Sequence, residues 1–173
     1  MKNKSNIVLI GLPGGGKTTV GMLAAEQLQW DFADMDTLAE QLSGQSVPAL
    51  FAQGEDCFRA AETEACRVLA CRRRTVIAAG GGVVTREENI DLLRPCSLIV
   101  FLDRPAKEIV NDVDTSGRPL LQQGAERVFA LERERRPLYL AAADRVIAGL
   151  STPEEAAEQI CDLARFLKEG ELR

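Results

Sequence analysis

The stretch NIVLIGLPGGGKTTVGMLAAEQL, Asn6 to Leu28, decides how the rest of the chain is read. An apolar run, Ile7 to Ile10, breaks into a loop holding four glycines, then a lysine and two threonines, and then turns helical. Gly11-Leu-Pro-Gly-Gly-Gly16-Lys17-Thr18 fits G-x-x-x-x-G-K-[ST] at every fixed position, after a strand and before a helix, where that motif has physical meaning. Glycines such as Gly14, Gly15 and Gly16 let backbone N–H groups converge on phosphate oxygens that side chains would screen. The positive end of the following helix strengthens that field. Lys17 can then reach the β- and γ-phosphates, the Thr18 hydroxyl can ligate Mg²⁺, and Thr19 continues the helix beside the nucleotide. A glycine-rich turn with a chance lysine would need neither the strand nor the helix, so a nucleoside triphosphate site is expected.

Bulk properties narrow the partners. A chain of 173 residues is read as one domain, 1–173, large enough to bury a substantial core. Its formal net charge of −5 argues against nonspecific affinity for nucleic acid or an anionic membrane. It leaves room for an anionic small substrate held by local arginines. Ile7 to Ile10 is too short for a secretory segment and no long apolar span occurs, so a cytoplasmic location is expected. Five cysteines without a CxxC pair suggest free thiols rather than disulfides or a zinc site. Histidine is absent, which removes Ser-His and Cys-His nucleophile pairs and imidazole metal sites. Chemistry must come from carboxylates, lysine, arginine, backbone amides or a cofactor.

Short β-branched runs alternate with helical segments. Ile7–Ile10, Thr75–Ala79, Ser97–Leu102 and Arg145–Ala148 read as buried strands, apolar throughout as a parallel sheet requires. Periodic segments at Val20–Leu28, Arg59–Cys71, Glu87–Leu93 and Ala125–Ala142 read as helices between them. A last helix has Thr152 as its cap, Pro153 at its first position, Glu155 completing a capping box, and Gly170 at its end. This order implies an α/β fold with a central parallel sheet flanked by helices. The polar stretch Asn111 to Glu126 is the candidate for a mobile loop, although composition alone fits a plain surface connection slightly better.

Asp34 and Asp36, in FADMD, stand two apart and would point to the same side of an extended segment. Such acids suit a magnesium ion and a substrate hydroxyl, or simply a polar strand end. Three further stretches stand out: GEDCFRAAE with Arg59, AAGGGVV with three glycines after a strand, and ERRPLY with Arg135 and Arg136. Singly, each reads best as a surface arginine, a tight turn or a solvated charge run.

Together they form a pattern. GLPGGGKTT, FADMD, LFAQGEDCFRAAE, AAGGGVV, GRPLL and RRPLY occur in one order from Gly11 to Tyr139, and in that order the chain resembles the shikimate kinases. The resemblance implies a three-layer P-loop NTPase fold with a mobile lid at about 111–125 and a helical substrate region at about 33–62. It implies ATP as co-substrate, Mg²⁺, and phosphorylation of the 3-hydroxyl of shikimate by a monomer, on the route to aromatic amino acids. Asp36 would orient and deprotonate the attacking hydroxyl, while Thr18 and Asp34 would hold Mg²⁺. Arg59 and Arg135 would grip the substrate carboxylate, helped by the backbone of Gly81 and Gly82. Arg118 would belong to the lid and, with Lys17, act on the ATP phosphates. Paired arginines suit a carboxylate because guanidinium binds it through parallel hydrogen bonds.

The match departs from the family pattern at Asn111, where relatives often place an arginine against the adenine. A rival metal carboxylate, Asp103, ends the apolar run LIVFLD. It reads better as the cap of a helix beginning in RPAKEIV. A gluconate kinase shares the phosphate loop, but Arg59, Arg135 and the glycine turn favour a cyclic carboxylic acid.

Overall fold

A computed structural model describes residues 4–112, 124–149 and 152–169. Its centre is a parallel sheet of five strands in the order β2-β3-β1-β4-β5: β1 (Asn6–Ile10), β2 (Asp31–Asp34), β3 (Thr75–Ala78), β4 (Ser97–Asp103) and β5 (Arg145–Ala148). β1 pairs with β3 on one side and β4 on the other, in registers Ile7 with Val76 and Ile7 with Leu98. Every residue of β1 is buried, because helices cover both faces. Alternate side chains therefore enter different cores. Val8 and Ile10 join one apolar cluster with Met35, Leu69, Phe101 and Tyr139, and Ile7 and Leu9 join another with Val20, Ala24 and Ile160.

The helices are α1 (Lys17–Leu28), α2 (Met35–Ser43), α3 (Val47–Gln53), α4 (Glu55–Ala70), α5 (Glu87–Leu93), α6 (Ala106–Asp112), α7 (Ala125–Ala142) and α8 (Pro153–Glu169). α1 packs against α8 on one face, whereas α2 and α4 pack together on the other. The chain leaves β1 toward β2 and leaves β3 toward β4, in opposite directions along the sheet. The carboxyl ends of β1 and β3 thus flank a topological switch point, where open α/β sheets bind ligands. The capping box at Thr152 forms in both directions: Glu155 N–H donates to Thr152 Oγ1 at 3.2 Å and Thr152 N–H to Glu155 Oε2 at 3.3 Å.

Four expectations change. β5 is an edge strand with three of its four residues exposed, not a buried one, since among the described residues only β4 flanks it. Asp34 and Asp36 do not share an extended segment; β2 ends at Asp34, and Asp36 lies in the first turn of α2. Asp103 does not cap α6, whose Ala106 N–H instead donates to Glu132 Oε1 of α7 at 2.9 Å. Of the lid expected at about 111–125, residues 113–123 lie outside the described residues, while Asn111 and Asp112 close α6 and Ala125 opens α7. Arg118 and Gly170 lie outside the described residues.

The sequence pattern alone does not separate helices α2 and α3. Asp34 Oδ1 starts α2 by accepting from the N–H groups of Asp36 and Thr37 at 3.1 and 3.2 Å. Ser46 starts α3 by accepting from Ala49 N–H, with Pro48 in the first turn.

Candidate active site

The loop after β1 has the backbone its glycines allow. Gly14 and Gly16 have φ of 81° and 86°, a left-handed conformation that favours glycine, and Gly16 caps α1. Lys17 Nζ folds back beneath the loop, donating to the carbonyls of Gly11 and Leu12 at 2.9 and 2.8 Å. The ammonium is therefore fixed inside the arch, next to the amino end of α1.

Asp34 divides its two oxygens between tasks. Oδ1 caps α2, and Oδ2 accepts from the Thr18 hydroxyl at 3.0 Å. A hydroxyl and a carboxylate, both hard oxygen donors, thus stand together at the mouth of the phosphate loop, a set that fits Mg²⁺. Asp103 is engaged elsewhere: Arg136 grips it with two hydrogen bonds, at 3.2 Å from Nε and 2.7 Å from Nη2.

The second half of the site forms around the glycine turn after β3. A Cβ on Gly81 would lie 2.6 Å from Cγ of Pro13, so this turn and the phosphate loop abut. A Cβ on Gly80 would lie 2.7 Å from Glu62 Oε1 and 2.8 Å from Asp36 Oδ1. Two carboxylates from different helices therefore converge on one point of backbone. Gly82 lies directly against the Arg59 guanidinium. Arg135 Nη1 donates to the Gly81 carbonyl at 3.2 Å, and the Tyr139 hydroxyl donates to the same oxygen. Asp36, Arg59 and Arg135, far apart in sequence, are thus brought to one glycine turn beside the phosphate loop, along with Lys17. Arg59 and Arg135 are each only 4% exposed.

Charges here are interlocked. Arg59 Nη1 donates to Glu62 Oε2 at 2.9 Å, while Nε and Nη2 donate to Glu55 Oε1 at 3.3 and 3.0 Å. Burial disfavours the charged guanidinium, but the Glu62 and Glu55 carboxylates together more than offset that and hold Arg59 above its ordinary value. Burial pushes the Asp36 carboxyl up, Asp34 adds to the rise, and Lys17 and Arg59 oppose it. Glu62 is also raised by burial, against the pull of Arg59. Asp36 Oδ1 and Glu62 Oε1 are buried and make no hydrogen bond among the described residues. Unpartnered buried acceptors are costly, so a ligand offering hydroxyl donors would relieve both.

Two residues of the site, Glu62 in FRAAE and Tyr139 in RRPLY, carry no role in the sequence reading. Spacing carried a signal for each: Glu62 is three residues after Arg59, and Tyr139 is four after Arg135, so both pairs share a helix face.

A family model for shikimate kinase matches residues 13–165. The chain belongs to the shikimate kinase family. A shikimate kinase of Clostridium beijerinckii is 48% identical over 147 residues, spanning 85% of this chain and 86% of that one. One of Thermodesulfovibrio yellowstonii is 39% identical over 170 residues, spanning 95% and 98%. The solved shikimate kinase of Acinetobacter baumannii in complex with shikimate superposes with a TM-score of 0.88 at 32% identity, over 99% of this chain and 97% of that one. A gluconokinase of Sinorhizobium meliloti, with a TM-score of 0.59 and 18% identity, shares the fold alone.

Proposed function

We propose that the protein transfers the γ-phosphoryl group of ATP to the 3-hydroxyl of shikimate, giving shikimate 3-phosphate. Family membership carries the activity. The observation that supports it in this chain is the meeting of two carboxylate oxygens, without a hydrogen bond among the described residues, with two buried guanidinium groups at one glycine turn. A substrate with both ring hydroxyls and a carboxylate satisfies that set; a polyol without a carboxylate has no anion to offer the two guanidinium groups.

The residue roles are assigned on the family resemblance, and the positions of the described residues are in keeping with them. Gly14, Gly15, Gly16, Lys17, Thr18 and Thr19 hold the ATP phosphates. Thr18 and Asp34 hold Mg²⁺, which when bound neutralises phosphate charge. Asp36 accepts the proton of the 3-hydroxyl, a task for which its raised proton affinity suits it. Arg59 and Arg135 bind the substrate carboxylate, with the backbone of Gly81 and Gly82 beside them. Arg118, outside the described residues, is assigned to the ATP phosphates on the resemblance of GRPLL. Phosphoryl transfer depends chiefly on positioning and charge neutralisation, which a chain without histidine can supply.

We take the enzyme to work as a monomer in the cytoplasm. Among the described residues no helix is long and apolar enough to cross a membrane. A coupled assay of ADP release tests the activity: release should require shikimate and Mg²⁺ and should not occur with gluconate. Equal release with gluconate would overturn the substrate assignment.

A further inference from the structure

Tyr139 is the chain's one tyrosine, and it is fully buried. Its ring stacks on Phe101 with centroids 5.1 Å apart. That packing would be served equally by phenylalanine, so the hydroxyl needs a separate explanation. It donates to the carbonyl of Gly81, the oxygen to which Arg135 Nη1 also donates. Tyr139 follows Arg135 by one turn of α7, so both project from one face of that helix.

A carbonyl oxygen has two lone pairs, and here each has its own donor. The peptide joining Gly81 to Gly82 cannot rotate without breaking both bonds. Because the peptide is planar and trans, its N–H points opposite its carbonyl. The Gly82 amide is therefore directed away from the two α7 donors, and Gly82 is the residue against which Arg59 packs. If Arg135 alone held the carbonyl, turning the guanidinium toward a ligand would leave a buried acceptor without a partner, at a cost. With Tyr139 in place the carbonyl keeps a donor.

We infer that Tyr139 is a positioning residue for the substrate carboxylate: its hydroxyl fixes the Gly81–Gly82 peptide and frees Arg135 to turn from that carbonyl to the incoming anion. Arg135 Nε makes no hydrogen bond among the described residues and has only a loose ion pair with Glu134 Oε1 at 3.9 Å, so the guanidinium has donor capacity to offer. Burial holds the phenol well above its ordinary value, with Arg135 pulling the other way, so the hydroxyl remains a donor at neutral pH. This role rests on the proposed assignment of Arg135 to the carboxylate.

Tyr139→Phe retains the ring and removes only the donor. It should raise the KM for shikimate about tenfold, the effect of one hydrogen bond, and leave kcat and the KM for ATP within about twofold. Binding of shikimate methyl ester, which keeps the ring hydroxyls and lacks the anionic carboxylate, should be unchanged in the variant. Equal weakening of acid and ester, or loss of ATP affinity as well, would mean that the hydroxyl serves only the scaffold and would overturn the inference. If Tyr139→Phe does not fold, biosynthetic 3-fluorotyrosine labels this position alone. Its ¹⁹F resonance should move with shikimate and stay put with the ester, and the same response to both would overturn the inference. Absence of shikimate turnover in the unsubstituted enzyme would instead remove the functional assignment itself.

Discussion

Arg59 and Glu62 face each other within one turn of α4, Nη1 2.9 Å from Oε2, with Glu62 completely withdrawn from water. Glu55 holds the same guanidinium from the outside at 3.0 Å, and its side chain is largely exposed. Removing the inner partner leaves a buried charge uncompensated, whereas removing the outer one is softened by solvent. Glu62→Ala is expected to destabilise the protein by about 3 kcal/mol and to raise the KM for shikimate, because Arg59 loses its aim. Glu55→Ala should cost under about 1 kcal/mol. Denaturant titration and steady-state kinetics on both variants check this. A destabilised Glu62→Ala enzyme with unchanged KM would make Glu62 a purely structural partner.

Asp34 and Asp103 both end strands that reach the phosphate loop, yet only Asp34 contacts the threonine of that loop. Asp103 is clamped by Arg136. Asp34→Asn should therefore raise the Mg²⁺ concentration needed for half-maximal rate by about tenfold or more, while Asp103→Asn leaves it nearly unchanged. Titrating Mg²⁺ against rate at fixed ATP separates the two, and a selective shift in the Asp103 variant would reverse the assignment. Asp34 also caps α2, and asparagine keeps the accepting Oδ1, so this variant should lose little stability and its defect should lie in the Mg²⁺ dependence.

The phosphate loop was legible because its chemistry demands particular residues at particular spacings, and the backbone angles at Gly14 and Gly16 answer that demand. Strands β1, β3 and β4 were legible for a similar reason, since burial on both faces leaves an unbroken apolar signature. β5 misled because its sequence, RVIA, is as apolar as a central strand, and nothing local says that one edge lacks a neighbour. α2 is hidden in the sequence because its cap, Asp34, is also the last residue of β2 and reads equally well as a metal ligand. Tertiary pairing was least visible. That Glu62 and Asp36 meet at Gly80, or that Arg136 reaches Asp103 across thirty-three positions, depends on where the sheet brings its carboxyl ends, which no local window contains.

Asp36 should reveal its function as a stability cost. Its folded-state proton affinity is raised above the ordinary 3.8, chiefly by burial. Between 3.8 and that raised value the folded protein binds more protons than the unfolded chain, so stability falls as pH climbs through the window. Above the window the cost is fully present; below it, absent. Asp36→Asn lacks the ionising group. Its melting temperature should meet that of the parent as pH falls toward 3.8, and exceed it near neutrality by the equivalent of about 1 kcal/mol. Turnover should drop by about 100-fold or more, with ATP affinity retained. Melting curves that stay parallel at all pH values would refute the buried-charge account, and normal turnover would refute the role as base.

Gly81 and Gly82 are neighbours with different contacts, and alanine should tell them apart. Gly82 has φ −103° and ψ 3°, a backbone that alanine accepts without strain, so the consequence there is steric. The added methyl group would occupy the space of the Arg59 guanidinium. That group is locked to Glu62 and cannot withdraw cheaply. Gly82→Ala should therefore weaken shikimate binding by about 10- to 100-fold, the worth of a charged hydrogen bond, and leave the KM for ATP near its original value. At Gly81 the new methyl meets Cγ of Pro13 at 2.6 Å, and the proline ring belongs to the phosphate loop. Gly81→Ala should accordingly raise the KM for ATP together with that for shikimate. Two-substrate kinetics on the pair reads the difference directly. If both variants affected only shikimate, the contact between glycine turn and phosphate loop would have no mechanical consequence; if both affected ATP alone, Arg59 would not lie in the carboxylate site.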